Sequence, residues 1–178
     1  MKFQSVDKLT FGLEHIFVVL GSALIFFSFA SSSYAQTQES MNTETTQFET
    51  ITLGAGCFWC IEAVFESIPG VQQAVSGYSG GHIKNPAYRE VCAGTTGHAE
   101  VIQVTFDPKV LRLEMLLEVF FGTHDPTTLN RQGADVGTQY RSAIYYHTPQ
   151  QQEVALAAVA RAQNDWPSPI VTEVTELE

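Results

Sequence analysis

The sequence predicts an α+β domain, a mixed sheet with its helices packed mainly on one side. Three observations predict it. Segments with strand alternation and segments with helical spacing follow one another along one short chain. Turn residues such as Pro69-Gly70, Asn85-Pro86 and Asp107-Pro108 separate them. Hydrophobic residues fill 44% of 178 positions, enough for a packed core in a chain whose length favours one domain.

Phe48 to Leu53 has the β-branched, alternating look of a strand, and it ends at Gly54-Ala55-Gly56. A helix follows, with Ala63, Val64, Phe65 and Ile68 on one stripe, until Pro69-Gly70 stops it. Val71 to Val75 forms a second strand before Gly77-Tyr78-Ser79-Gly80-Gly81. Beyond Asn85-Pro86 a short helical turn is expected around Tyr88 to Cys92. Ala99 to Phe106 alternates cleanly: Ile102, Val104 and Phe106 share one face, and the period of two puts Glu100 there as well. After Asp107-Pro108, Leu113, Leu116, Leu117 and Phe120 recur at helical spacing. A long polar loop from Gly122 to Tyr140 leads to a strand at Ser142 to Tyr146. Thr148-Pro149-Gln150-Gln151 is a helix start, with a Thr N-cap, Pro in the first turn and Gln three residues after the cap. That helix runs to about Asn164, and Ile170 to Thr175 is a final strand.

The N-terminal segment stands apart from this pattern. Lys2 and Lys8 precede an uncharged apolar run from Ile16 to Ala30, and Ser33 and Ala35 place small residues where a signal peptidase needs them. The run is short of the roughly 20 residues that span a membrane. Residues 1–35 therefore read as a signal peptide, 36–46 as a flexible polar linker and 47–178 as one folded domain. Export to a bacterial periplasm is expected. Asp7 and Glu14 dilute the positive segment, so an uncleaved membrane anchor is the alternative. The net charge is −10, and the nine Lys and Arg residues are scattered, which argues against nucleic acid as a partner.

Gly56-Cys57-Phe58-Trp59-Cys60 carries the chemistry. Cys57 falls between a strand end and a helix start, where unpaired N–H groups and the helix dipole favour a thiolate. Cys60 lies three residues on, close enough to trap an oxidised Cys57 as a disulfide. Three other readings remain open. A permanent disulfide suits an exported protein, although so small a loop adds little stability. General disulfide exchange of the thioredoxin type uses the same Cys-x-x-Cys spacing. Cys57, Cys60, Cys92 and His98 could hold zinc, but bulky Phe58-Trp59 makes a poor zinc knuckle. Phe58 and Trp59 form either core or an apolar pocket. Glu100, if buried with its strand neighbours, is a carboxylic acid that keeps its proton and can donate it. A solvated strand end for Glu100, or His98 as the acid, are the alternatives. Tyr88, Asp135 and Tyr140 lie in or beside loops, where binding residues gather.

Together these residues resemble the A-type peptide methionine sulfoxide reductases, from about Leu53 to Val171. The blocks are GCFWC (56–60), PGV (69–71), GYSGG (77–81), NPAYREVCAGTTGHAE (85–100), FDP (106–108) and HDPTTLNRQGADVGTQYRSAIYYH (124–147). The resemblance implies a ferredoxin-like two-layer core, no cofactor and no metal. It implies that Cys57 is the nucleophile, Glu100 the proton donor and Cys60 the resolving cysteine. By the same resemblance, Phe58 and Trp59 take the sulfoxide methyl, Tyr88 and Tyr140 hold the oxygen, and Asp135 orders water. Cys92 has no part in recycling and is expected to be buried and structural. The implied substrates are oxidised proteins and free methionine sulfoxide, in the S configuration, with a thioredoxin-like dithiol as reductant and a monomeric enzyme. Many relatives continue past the last strand with an aromatic, acidic segment and sometimes a further cysteine. Here no cysteine follows Cys92, so resolution is expected to fall to Cys60.

Overall fold

The computed structural model of the chain describes residues 47–177 and the pair Gln4–Ser5. Apart from that pair, the expected signal peptide over 1–35 and the expected linker over 36–46 lie outside the described residues. The first strand, β1 (Gln4–Ser5), is followed by β2 (Glu49–Ala55), α1 (Phe58–Glu66), β3 (Val71–Ser79), α2 (Tyr88–Cys92) and β4 (Ala99–Phe106). Then come α3 (Leu113–Gly122), the small hairpin β5 (Arg131–Gln132) and β6 (Asp135–Val136), and a 3-10 turn at Thr138–Tyr140. β7 (Ser142–Tyr146), α4 (Pro149–Ala162), a second 3-10 turn (Gln163–Asp165) and β8 (Glu173–Glu176) complete the order.

The main sheet runs β1-β3-β4-β2-β7-β8. Its neighbours are antiparallel as far as β7, and β7 pairs with β8 in parallel, so the sheet is mixed. Two split β-α-β units interleave. β2-α1-β3 leaves a gap that β4 fills, and β4-α3-β7 leaves one that β2 fills. This is the ferredoxin-like arrangement. Ile51 and Leu53 of β2, Ile102, Val104 and Phe106 of β4 and Ile144 of β7 meet Phe65 of α1 and Leu116, Leu117 and Phe120 of α3 in one core. Each such fully buried side chain contributes about 1.5–3 kcal/mol. A small second cluster, Ala99, Val101, Ala143 and Tyr145, lies apart from that core.

Tertiary pairing shifts several elements from their expected bounds. β3 continues through Ser79 instead of stopping at Val75, because β4 pairs with it as far as Ser79 opposite Ala99. β8 starts at Glu173 instead of Ile170, since the N–H of Ile170 bonds the Gln163 side chain and that of Val171 bonds the Pro126 carbonyl. The buried stripe of α1 is Phe58, Ile61, Glu62 and Phe65, whereas Val64 is 40% exposed. Its phase is set by Phe58 going inward at the first turn, which the apolar cluster at 63–65 obscures. Glu62 fastens the helix to β3, accepting from the backbone N–H of Ser76 at 2.8 Å and from the Ser76 hydroxyl. α4 starts as expected, with Thr148 accepting from Gln151 N at 3.3 Å and Pro149 in the first turn. The Gln151 side chain reaches one residue beyond the cap, to His147 N at 2.9 Å.

The long loop after α3 is pinned at its start by His124. This buried ring donates from Nδ1 to the Phe120 carbonyl at 2.8 Å, and Nε2 accepts from the Ser142 hydroxyl at 2.7 Å. Ser142 in turn meets the Thr172 hydroxyl at 2.7 Å. Burial holds the imidazole neutral and pushes its pKa down to about 4. In the unfolded chain the ring takes up its proton near 6.5. The stability linked to His124 is therefore full above about pH 6.5 and is lost as pH falls through about 4, on the order of 3 kcal/mol in all. Urea denaturation of the wild type and His124→Asn at pH 7 and pH 4.5 checks this. The variant should show the smaller fall between the two values; parallel falls would contradict the assignment.

Candidate active site

β2 ends beside two close neighbours. A Cβ at Gly54 would stand 3.2 Å from the Glu100 carbonyl oxygen and 3.3 Å from that of Arg141, tighter than ordinary contact, so glycine lets β4 and β7 flank the strand without either giving way. Gly56 then turns the chain at φ 88°, a conformation that favours glycine. The Gln132 side chain lies where a Cβ at Gly56 would stand, at 2.7 Å. Gln132 is itself held by Asp125, whose N–H and carbonyl bond its amide at 3.2 and 3.1 Å. The β5–β6 hairpin is thus fixed against the turn that presents Cys57.

Cys57 is the N-cap of α1, its carbonyl accepting from Cys60 N at 3.1 Å and Ile61 N at 3.4 Å. Its side chain is half-buried and makes no capping bond. Cys60 is exposed one turn on. Its thiol is hydrogen-bonded to Cys57, and that bond, with the charge on Cys57, pushes the Cys60 pKa up. The two thiols are therefore neighbours before any oxidation.

Four aromatic rings lead outward from the core to the surface. Phe58 is buried, 5.5 Å from the Tyr78 ring on one side and stacked on Trp59 at 5.5 Å on the other. Trp59 is 61% exposed and stacks on Tyr88 at 6.4 Å with an interplanar angle of 14°. An apolar wall with one dry end and one open end results.

Glu100, near the start of β4, is 3% exposed. The period-two reading of its strand places it on the core face, and burial removes the solvated alternative. Desolvation raises its pKa; the N–H of Phe58, donating to Oε2 at 3.1 Å, works against that rise, and the charge of Asp135 adds to it. The carboxyl therefore holds its proton above the ordinary glutamate range, one residue from Cys57. Tyr140 is pushed up by burial first and then by the charges of Glu100, Asp135 and Cys92. Tyr88 is pushed up to about 12, chiefly by its hydrogen bond to Cys92. Asp135 on β6 acts by its charge on Cys60, Glu100 and Tyr140 alike.

All eight site residues named from the sequence thus come together: Cys57, Phe58, Trp59 and Cys60 from the β2–α1 junction, Tyr88 from α2, Glu100 from β4, Asp135 from β6 and Tyr140 from the turn before β7. One expectation changes, and one alternative closes. Cys92 is exposed and hydrogen-bonded to Tyr88, not buried; the five-residue α2 has a single buried position, and Val91 takes it. His98 is buried with both ring nitrogens engaged, Nδ1 accepting from Gly81 N at 3.3 Å and Nε2 donating to the Ile83 carbonyl at 2.8 Å. It is free neither to supply a proton nor to join cysteines on a metal. Sequence reasoning gave no role to Gln132 or Tyr78. Gln132 carries no local signal. Nor does Tyr78, which only the pairing of β3 with β4 sets opposite Glu100.

Residues 49–178 match the family model described as peptide methionine sulfoxide reductase. The peptide methionine sulfoxide reductase MsrA of Paenarthrobacter aurescens (strain TC1) is 57% identical over 129 residues, covering 72% of this chain and 74% of its own. Among solved structures, methionine sulfoxide reductase A of Corynebacterium diphtheriae aligns with a TM-score of 0.66 at 39% identity, over 73% of this chain and 65% of that one. Mxr1 of Saccharomyces cerevisiae in its reduced form aligns with a TM-score of 0.72 at 33% identity, over 79% of this chain and 82% of that one. The same yeast protein in complex with Trx2 aligns at 0.57 and 25% identity, over 79% and 84%. A family match over most of the chain, on a fold and site of this geometry, makes the chain a member of the peptide methionine sulfoxide reductase family, A type.

Proposed function

We propose that this chain reduces methionine S-sulfoxide, free or in proteins, with Cys57 as nucleophile, Glu100 as acid and Cys60 as resolving thiol. The observation that carries this reading is the hydrogen bond from Phe58 N to the buried Glu100 carboxyl, 3.1 Å long, at the helix start that bears Cys57. It supports an arrangement in which the Cys57 sulfur and a buried acid that resists ionisation face the same small space.

The chemistry follows from those two groups. The sulfoxide methyl rests against Phe58 and Trp59, and Tyr88 and Tyr140 hold the oxygen, with water ordered by Asp135. The Cys57 sulfur attacks the sulfoxide sulfur while Glu100 protonates its oxygen. The oxygen passes to Cys57 as methionine leaves, so methionine sulfur is reduced and Cys57 becomes a sulfenic acid. The Cys60 thiol displaces water from that sulfenic acid and forms a Cys57–Cys60 disulfide. An external dithiol of the thioredoxin type reduces it by exchange, a partner supported by the yeast relative's complex with Trx2. No electron carrier other than thiols enters the cycle. We further propose export, from Lys2, Lys8, the apolar run Ile16–Ala30 and the small residues Ser33 and Ala35. In cell fractionation, a shortened soluble form outside the cytoplasm supports export, and a full-length membrane form supports an anchor.

Mass spectrometry after one sulfoxide turnover separates the cysteines. Cys57→Ser should form no product at all, whereas Cys60→Ser should release one equivalent of methionine and then stall. Normal activity in Cys57→Ser would sink the nucleophile assignment. If disulfides of unrelated proteins were reduced and sulfoxide were not, the chain would be a general exchange enzyme.

Glu100→Gln should slow the first turnover by about 10²-fold or more while the fold persists. The sign of the pH dependence follows from the raised pKa. The acid is active below its pKa, so the wild-type single-turnover rate should fall on the alkaline side as Glu100 ionises, and this limb should vanish in the Gln variant. An unchanged rate in Glu100→Gln would reassign the proton donor to a tyrosine.

A further inference from the structure

Tyr78 sits opposite Glu100 across the β3–β4 pair, and the reduction outlined above gives it nothing to do. Opposite residues in an antiparallel pair project to the same face, so both side chains point toward α1. The Tyr78 ring lies 5.5 Å from the Phe58 ring. The residue is 4% exposed, and its hydroxyl is one of two buried side-chain polar atoms among the described residues without a hydrogen-bond partner. The other is Oε1 of Gln139, the neighbour of Tyr140, whose Nε2 donates to the Cys92 carbonyl at 3.2 Å. Buried hydroxyls are costly to leave unbonded, and both orphans flank the same site.

Tyr78 shares its place in the sheet with Glu100, on the face that packs against Phe58. Burial lifts its pKa above the tyrosine range, and the charges that add to this belong to Glu100, Cys92, Tyr88 and Tyr140. These residues come from β4, α2 and the turn before β7, the elements that also carry the site.

We propose that the Tyr78 hydroxyl donates a hydrogen bond to the sulfoxide oxygen, as a third tyrosine beside Tyr88 and Tyr140. This rests on the sulfoxide reduction proposed above and deepens it. The sulfoxide oxygen is negatively polarised and gains charge as its bond to sulfur breaks. A neutral, preorganised donor that resists ionisation stabilises that charge without surrendering its proton. The hydroxyl also separates substrate from product. Sulfoxide supplies its missing partner, and the thioether product, which has no oxygen, leaves it unbonded again and so favours release.

Tyr78→Phe in the full chain keeps the ring and its contact with Phe58 and removes only the oxygen. Three quantities are read: the single-turnover rate of disulfide formation with methionine sulfoxide, the inhibition constant of methionine, and the alkylation rate of Cys57 by iodoacetamide. The first should fall at least about tenfold, while the other two stay within about twofold of wild type. A wild-type turnover rate in the variant overturns the proposal. So do parallel losses in all three, which would mark Tyr78 as packing alone. If wild-type protein forms no disulfide with sulfoxide, the reduction itself fails, and that result is read before any variant is made.

Discussion

The backbone N–H of Phe58 and the carboxyl of Glu100 meet at 3.1 Å, at the point where helix α1 begins. The first N–H groups of a helix have no partner within it, and here one of them is satisfied by a buried acid from the neighbouring strand. That bond sets the distance between Cys57 and Glu100. It also sets a balance in the acid: burial favours the protonated form, and the N–H favours the ionised one. Because desolvation is the larger effect, the carboxyl stays a donor while remaining tied in place.

The rest of the fold maintains this contact. The β2–β4 register, with Leu53 opposite Ile102, brings the end of β2 alongside Glu100. A slip of one residue would turn Glu100 to the other face of the sheet. Glycine at position 54 lets the strands close to this separation, and glycine at position 56 lets Gln132 pack against the turn. Glu62 anchors α1 to β3 through Ser76, so the helix cannot rotate and withdraw Cys57. The interleaved β-α-β units place the cysteine-bearing helix and the acid-bearing strand in adjacent layers of one core.

Much of this was legible in the residues. Strict alternation over Ala99–Phe106 put Glu100 on the core face, and the glycine-cysteine junction after an apolar strand put Cys57 at a helix start. The motif blocks then named the other site residues. What stayed hidden depends on tertiary contact. The inward face of α1 follows from Phe58 packing on Tyr78, which periodicity over 63–68 does not reveal. The length of β3, and with it the position of Tyr78 opposite Glu100, comes from pairing with β4. Cys92 was expected to be buried because the resemblance gives it no part in recycling, but α2 is too short to turn more than Val91 inward. The two engaged nitrogens of His98 depend on Gly81 and Ile83, distant in sequence by 17 and 15 residues.

The balance at Glu100 is the claim on which the account stands, and its carboxyl can be watched directly. A site-specific ¹³C NMR titration of the Glu100 side chain, assigned by comparison with Glu100→Gln, reads its protonation in the reduced enzyme. The account predicts a midpoint clearly above that of exposed glutamates, moving with the amide proton of Phe58. A midpoint in the ordinary range, with the Phe58 amide unresponsive, would contradict it.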